Sequence, residues 1–472
     1  MLITGLILFF IASCILIVLV RISYRIRKFK IAREKFFNEV EEEDQNAPKV
    51  LLYQDWIYAL IVIVSVLLIF NLYIFFKDTI YAGHLMEWLN IVVRLMHITF
   101  GIAWIGASFY FVFLENALNR TENVRDELAG NLWAVHGGGF YYLEKYKTAP
   151  STIPKHLHWF KYEAYFTWLS GFCLLFIVYY FNSSAMLIDK SVLDISPIAG
   201  VGIGVGSFVL AWIIYDLMCK SPLKKNIYLF SIVGLVIATL FAYGYHLVFS
   251  SRAAYIHFGA MIGSIMAANV FFVIIPSQKA MVKAAKEGSF LDPSLGKNAL
   301  MRSLHNNYFT LPVLFVMISN HFPSTFGNKY SWLVLIIITI GTAGIKHWLN
   351  IKEKGRVAVW VLPISILIIL GAAFITSPQK NNTICTTQIS NDEAFQIVQA
   401  RCTSCHSPKP TDAGFTAPPN GITYNTLADL IRLKERIMQR VVITKTMPQN
   451  NKTHMTDEER NTLKCWIEQS NN

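Results

Sequence analysis

The residues with the most evident chemistry in this sequence are Cys402-Thr403-Ser404-Cys405-His406. C-x-x-C-H is the attachment signature of a c-type haem. The two thiols join the haem vinyls as thioethers, and the adjacent His406 is held where it ligates iron. The spacing is strict because one turn of chain must present both sulfurs and the imidazole to one macrocycle. A zinc or thiol-redox C-x-x-C, the bland alternative, leaves His406 unexplained. An axial Met raises a haem's potential, and Lys445-Thr446-Met447-Pro448 supplies one in a Pro-marked loop. Met438, inside the helical run Ala428–Val441, and Met455, just before a helix start, are the alternatives; Met447 is preferred. Covalent haem is attached on the outer side of the cytoplasmic membrane, so the motif sets the topology expected of everything before it.

What must position this motif is a chain of 472 residues, 54% hydrophobic and only 15% charged. That composition reads as a polytopic membrane protein. The net charge of +12 does not point to nucleic acid, because the basic residues collect in alternate short loops between apolar runs. The runs are Leu2–Val20, Trp56–Phe76, Trp88–Phe113, Ala164–Phe181, Pro197–Met218, Ile227–Val248, Ala253–Ile275, Phe309–Ser319, Trp332–His347 and Val357–Ile375. Most approach the ~20 residues that cross ~30 Å of hydrocarbon. Leu2–Val20 lacks a small-residue cleavage site and reads as an uncleaved anchor with its N-terminus outside. The expected inner loops carry most of the Lys and Arg, while the outer ones carry only Lys77, Lys190, Arg252 and Lys329. About ten spans return the chain outside after Ile375, which agrees with the haem chemistry.

The expected architecture is therefore all-α: a polytopic transmembrane helix bundle with a C-terminal class I cytochrome c domain. Its parts are a two-span extension with a basic cytoplasmic connector (1–86), an eight-span core (87–376), a polar linker (377–389) and a periplasmic cytochrome domain (390–472). Ser390 with Glu393, and Thr456 with Glu459, read as capping boxes for that domain's first and last helices. In small cytochromes c those helices pack together, which would let Cys385 and Cys465 meet as a disulfide in an oxidising compartment. Cys14, Cys173 and Cys219 lie in or beside apolar runs and read as small buried hydrophobes.

Arg94 and His97 fall three residues apart within one apolar run and so share a helix face. Ionisable groups at that depth are costly and normally face a polar interior. The functional reading is an anion or cofactor contact; the bland one is that Arg94 snorkels or pairs with Glu87. His84, His246, His257 and His321 fall toward the outer face, and His136, His156, His158, His305 and His347 toward the inner. An outer pair on facing helices is where a b-type haem or a substrate would be held. Interfacial histidines satisfied by water and backbone are the alternative. His136-Gly137-Gly138-Gly139-Phe140-Tyr141 reads as a Gly-rich turn in an inner loop.

Glu87–Leu118 (EWLNIVVRLMHITFGIAWIGASFYFVFLENAL), Leu132–Tyr146 (LWAVHGGGFYYLEKY), His156–Gly171 (HLHWFKYEAYFTWLSG), Ser251–Pro276 and Ser303–His321 (SLHNNYFTLPVLFVMISNH) resemble the bacterial membrane-bound, cytochrome c-linked urate oxidases, also called urate hydroxylases. The resemblance runs from about Glu87 to the C-terminus and includes the haem motif and the Met447-Pro448 loop. It implies an eight-span core, a periplasmic cytochrome c, and oxidation of urate to 5-hydroxyisourate. Water is the implied oxygen source, and no hydrogen peroxide forms. The first two spans look like an addition to that core.

Urate is a planar anion at neutral pH, so its site needs a cation, amide or imidazole edges, and aromatic faces. Arg94, His97, Asn306, Asn307 and His321 are the available polar groups, and a neutral His is the natural base: His97 or His321, with His257 on the same outer side. A ~30 Å hydrocarbon core is too thick for a direct electron hop from an inner site, which favours the outer half unless a membrane haem b bridges the distance. Electrons would leave for a respiratory-chain acceptor, a periplasmic cytochrome c or a terminal oxidase. Three other classes are weighed against this. A terminal oxidase needs several mid-membrane histidines. A quinol-oxidising cytochrome b needs stacked His pairs. A tethered electron carrier needs only one span.

Overall fold

The computed structural model describes residues 81–472, apart from 151, 155–156, 354, 356–357, 378–384, 386, 413–414, 416 and 471–472. The two spans expected within Leu2–Phe76, and Cys14, lie outside the described residues. The chain divides into two units, Met1–Trp88 and Leu89–Asn472. Of the first, the described part is the opening of a 37-residue helix, α1 (Tyr81–Ala117). The remaining spans expected from the sequence are all helices: α2 (Tyr162–Tyr180), α3 (Pro197–Lys220), α4 (Ile227–Val248), α5 (Ser251–Lys286), α6 (Pro293–Ser319), α7 (Ser331–Glu353) and α8 (Val361–Ile375). Among the described residues six helices are long and apolar enough to cross a membrane; α8, with 15 residues, is a shorter apolar one. The span expected at Phe309–Ser319 is the second half of α6, whose first half is too polar to register as hydrocarbon-spanning.

Short polar residues cap the first turns of four of these helices, α3, α4, α5 and α6. The side chain of Ser196 accepts from the Ala199 N–H, Asn226 from Tyr228 and Leu229, Ser250 from Ala253, and Asp292 from Ser294. Each satisfies amides that the first helical turn leaves without partners. Helix α5 is the centre: 61% of its apolar stretch is buried, against 33% or less for every other span. It packs against α2, α3, α4 and α6, while α7 packs against α4, α6 and α8. Two of these bundle helices contain π-turns, α2 at Phe176–Tyr180 and α5 at Asn269–Ile274. Such bulges are common where a helix re-aims side chains for function.

One element departs from the helical expectation. The loop around the Gly triplet, expected inside, is a β-hairpin, β1 (Leu128–His136) paired antiparallel with β2 (Gly139–Tyr146). Gly137 and Gly138 both have positive φ, +58° and +79°, as the two-residue turn between such strands requires. The triplet is thus explained by turn geometry. Arg125 pairs with Glu144 at 2.6 Å, and Lys145 with Glu115 at the end of α1.

The C-terminal segment opens with α9 (Asn391–Cys402) and closes with α10 (Asp457–Gln469). Thr456 and Glu459 form the full capping box. At Ser390 only one half is present, its hydroxyl accepting from the Glu393 N–H. The two helices pack together through the Arg401–Glu459 ion pair at 2.9 Å and a Trp466 indole N–H donated to Asn391 at 2.8 Å. Cys385 and Cys465 are disulfide-bonded, with Cα atoms 5.4 Å apart. Cys219 is buried as expected, whereas Cys173 is exposed, turned outward from the bundle on α2.

Candidate functional site

In the C-terminal segment, the carbonyl of Cys402 accepts from the N–H groups of both Cys405 (3.3 Å) and His406 (2.9 Å). This single turn brings the two thiols and the imidazole together. A carbonyl can only accept, so the 2.9 Å contact from His406 Nδ1 to the Ile422 carbonyl fixes Nδ1 as protonated. Nε2 is left as the free electron pair, the arrangement that a haem-ligating His needs. Cys402 is buried in a cluster with Tyr424, Leu430, Ile437, Val441, Leu463 and Trp466. Burial, with Cys405 beside it, pushes its thiol up to about 12. Met438, Met447 and Met455 all abut this cluster. The loop of Met447 is held by Arg460, whose guanidinium donates to the carbonyls of Val441 (2.5 Å) and Met447 (2.7 Å). The donor set, its apolar floor and the fixed tautomer fit a covalently held haem.

The same loop docks on the membrane bundle. Gln449 donates to the Ala185 carbonyl at 2.7 Å, and Asn450 donates to Ala185 (3.2 Å) and Ile188 (2.8 Å). These carbonyls lie in the connection from α2 to α3, at the end of the bundle expected outside from the sequence. Gly327, between α6 and α7, touches the loop too. A Cβ there would stand 2.6 Å from the Thr446 methyl and 2.7 Å from the Thr444 carbonyl.

Beneath this contact, α5 begins, and two turns into it His257 is fully buried. Its Nδ1–H donates to the Ala253 carbonyl at 2.8 Å, so Nε2 accepts the Tyr180 hydroxyl at 3.0 Å. The rings of Tyr179, Tyr180, Phe208, Tyr245 and Phe249 surround it, with centroids 4.5–6.3 Å away. Gly204 lets α3 approach: a Cβ there would lie 2.6 Å from the Tyr180 hydroxyl and 2.9 Å from His257 Nε2.

The expected site residues gather unevenly. Tyr179 joins two parts of the group: its hydroxyl contacts the Asn320 amide and its ring faces His257. His321, next to Asn320, is exposed on the turn after α6. Arg94 turns back along α1 to Asn90 at 3.0 Å. His97 instead faces α2, donating Nδ1–H to the Thr167 carbonyl at 3.0 Å and packing against Gly171. Asn306 and Asn307 belong to another network. Asn269, in the π-turn of α5, donates to Asn306 (2.9 Å) and Tyr215 (3.3 Å) and accepts from buried Arg302 (3.2 Å). Arg302 also pairs with Asp216 at 2.6 Å. Asn307 donates to Ser108 and accepts from Asn350. Three further histidines are engaged by hydroxyls: His246 by Ser331, His305 by Tyr215 and His347 by Tyr308. Sequence reasoning missed Tyr179, Tyr180 and Arg252 as site residues. The signal was a Tyr pair ending one span and a lone Arg opening another.

A helical bundle with several membrane-spanning helices, buried polar clusters and an appended helical segment defines a multi-pass membrane protein. Residues 83–377, more than half of the chain, match the urate oxidase N-terminal family. The chain belongs to that family of membrane-bound urate oxidases, and is an oxidoreductase acting on urate. Neither a curated protein nor a solved structure matches it.

Proposed function

We propose that this protein oxidises urate to 5-hydroxyisourate with water as oxygen source. The electrons pass to a haem c carried by Cys402, Cys405, His406 and Met447, and no hydrogen peroxide forms. The balance is urate plus water giving 5-hydroxyisourate, two protons and two electrons. When bound, the haem accepts those electrons one at a time. The chain must hold the purine anion, exclude bulk water and take up the protons. The observation that carries the reading is the docking of the Met447 loop, through Gln449 and Asn450, on the outer end of the family's own core. It sets the loop of Met447 against the connection that follows Tyr179 and Tyr180, which supports the reading.

In this reading the substrate is oxidised in the outer half. Arg94 offers positive charge, and His257, His97 and His321 are the imidazoles available to accept protons. His257 and His97 each keep Nε2 as the basic nitrogen, because Nδ1–H is committed to a backbone carbonyl. A proton taken from water can pass through the Tyr180 hydroxyl to His257. Haem c alone suffices for this route, without a haem b in the membrane. The cell compartment that fits is the bacterial cytoplasmic membrane, with the C-terminal segment periplasmic. A periplasmic cytochrome c or terminal oxidase is then the electron acceptor.

The test is to add urate to anaerobic, oxidised membranes containing the protein and follow the haem c absorption bands. Reduction by urate, with only haem c in a pyridine haemochrome assay, is expected. Reduction by a quinol but not by urate would overturn the reading.

A further inference from the structure

We propose that urate is bound in the cavity between the C-terminal segment and the outer end of the bundle, with Arg252 as its anion contact. The proposal rests on the function argued above and gives it a location.

The cavity has a volume of about 360 Å³, within the ~300–1,000 Å³ typical of small-molecule sites. Ser251, Arg252 and Phe326 line it from the bundle, and Met447, Gln449 and Asn450 from the opposite side. The cations in its wall differ in one respect. Lys445 is paired with Asp457 at 2.6 Å, and Arg460 donates to two backbone carbonyls. Among the described residues Arg252 makes no hydrogen bond or ion pair; its guanidinium lies over the Phe326 ring, 5.4 Å from the centroid. Burial and the proximity of Arg252 together hold the Arg440 guanidinium below the ordinary arginine range. The two cations therefore repel each other, and an anion between the two surfaces would relieve that repulsion.

The remaining chemistry suits a planar purine anion. A guanidinium offers two parallel N–H donors to adjacent oxygen and nitrogen acceptors. Gln449 and Asn450 spend their amide N–H groups on docking, which leaves Gln449 Oε1 and Asn450 Oδ1 as acceptors for ring N–H groups. A molecule held here adjoins Met447 on one side. On the other, Ser251 and Arg252 open α5, in which buried His257 stands two turns further on.

The experiment measures equilibrium binding of radiolabelled urate to the full-length holoprotein, anaerobically and with the haem held reduced, so that no turnover occurs. Arg252→Gln is expected to weaken binding at least ten-fold while haem c content and redox potential stay unchanged. Arg252→Lys should recover part of the loss, because it restores charge without the paired donors. Unchanged binding in Arg252→Gln, with wild-type protein binding urate, overturns the location and leaves the function standing. Lost haem or a shifted potential in that variant, with urate binding intact, assigns Arg252 to the haem's own carboxylates and also overturns it. Wild-type protein that neither binds urate nor is reduced by it removes the functional reading and this proposal together.

Discussion

Replacing Asn450 with Asp isolates the docking of the C-terminal segment. Asn450 sits at φ 53°, a left-handed conformation that Asn and Asp tolerate better than most side chains, so the change leaves the backbone acceptable. It removes two hydrogen bonds, to the carbonyls of Ala185 at 3.2 Å and Ile188 at 2.8 Å, and turns a carboxylate toward both. At ~0.5–1.5 kcal/mol net for each bond, the loss is about 2 kcal/mol. That corresponds to about thirty-fold in the equilibrium between closed and locally opened contact. Hydrogen exchange read by mass spectrometry should show residues 185–188 and 449–451 exchanging about thirty-fold faster. Amides inside α10 should be unaffected. Unaltered exchange in both docking segments would refute the argument that these bonds hold the C-terminal segment on the bundle.

Met447→Ala should leave the haem covalently attached but lower its potential; a Met-ligated spectrum that survives this change and is lost in Met455→Ala would reverse the ligand assignment. Tyr180→Phe removes the partner of His257 Nε2 in a fully buried site and should cost about 1–3 kcal/mol of stability, measured as a lower thermal midpoint in detergent. An unchanged midpoint would show that the bond carries nothing. His136→Ala, at the hairpin tip, should retain substantial urate-driven haem reduction, whereas Arg94→Gln and His97→Ala should abolish it with full haem c content. Full activity in both of the latter would remove α1 from the charge and proton network that serves the urate cavity. The pH dependence of the C-terminal segment follows from Glu459: burial opposes its charge, but Arg401 and the Thr456 N–H hold its carboxyl below the usual range. Its stabilising contribution is therefore present above the unfolded value of about 4.3 and is lost as pH falls through the lower folded value. Arg401→Gln should make the acid unfolding of residues 391–469 begin at higher pH, and an unshifted midpoint would contradict the assignment.

The helices from α1 to α8 were legible because each apolar run is bounded by a polar cap or a basic loop, and both signals are local. The Cys385–Cys465 pair was legible from the expected packing of the first and last helices. The hairpin was not: its strands carry no long apolar alternation, and Gly137-Gly138 reads equally well as any tight turn until the paired strands show the two positive φ angles. Arg94 and His97 share a helix face by spacing alone. Yet Arg94 turns to Asn90 while His97 turns to α2, because side chains three residues apart still stand about 60° apart around a helix of 3.6 residues per turn. Composition, the positions of the apolar runs, loop charge and the Cys402–His406 spacing are properties of contiguous chain, and the sequence by itself determined them. The meeting of Tyr180 with His257, of Arg302 with Asp216, and of Asn450 with the turn at Ile188 joins residues 77, 86 and 262 positions apart. Only the tertiary structure decided these, because the direction in which a buried polar side chain turns depends on which helix the packing sets beside it.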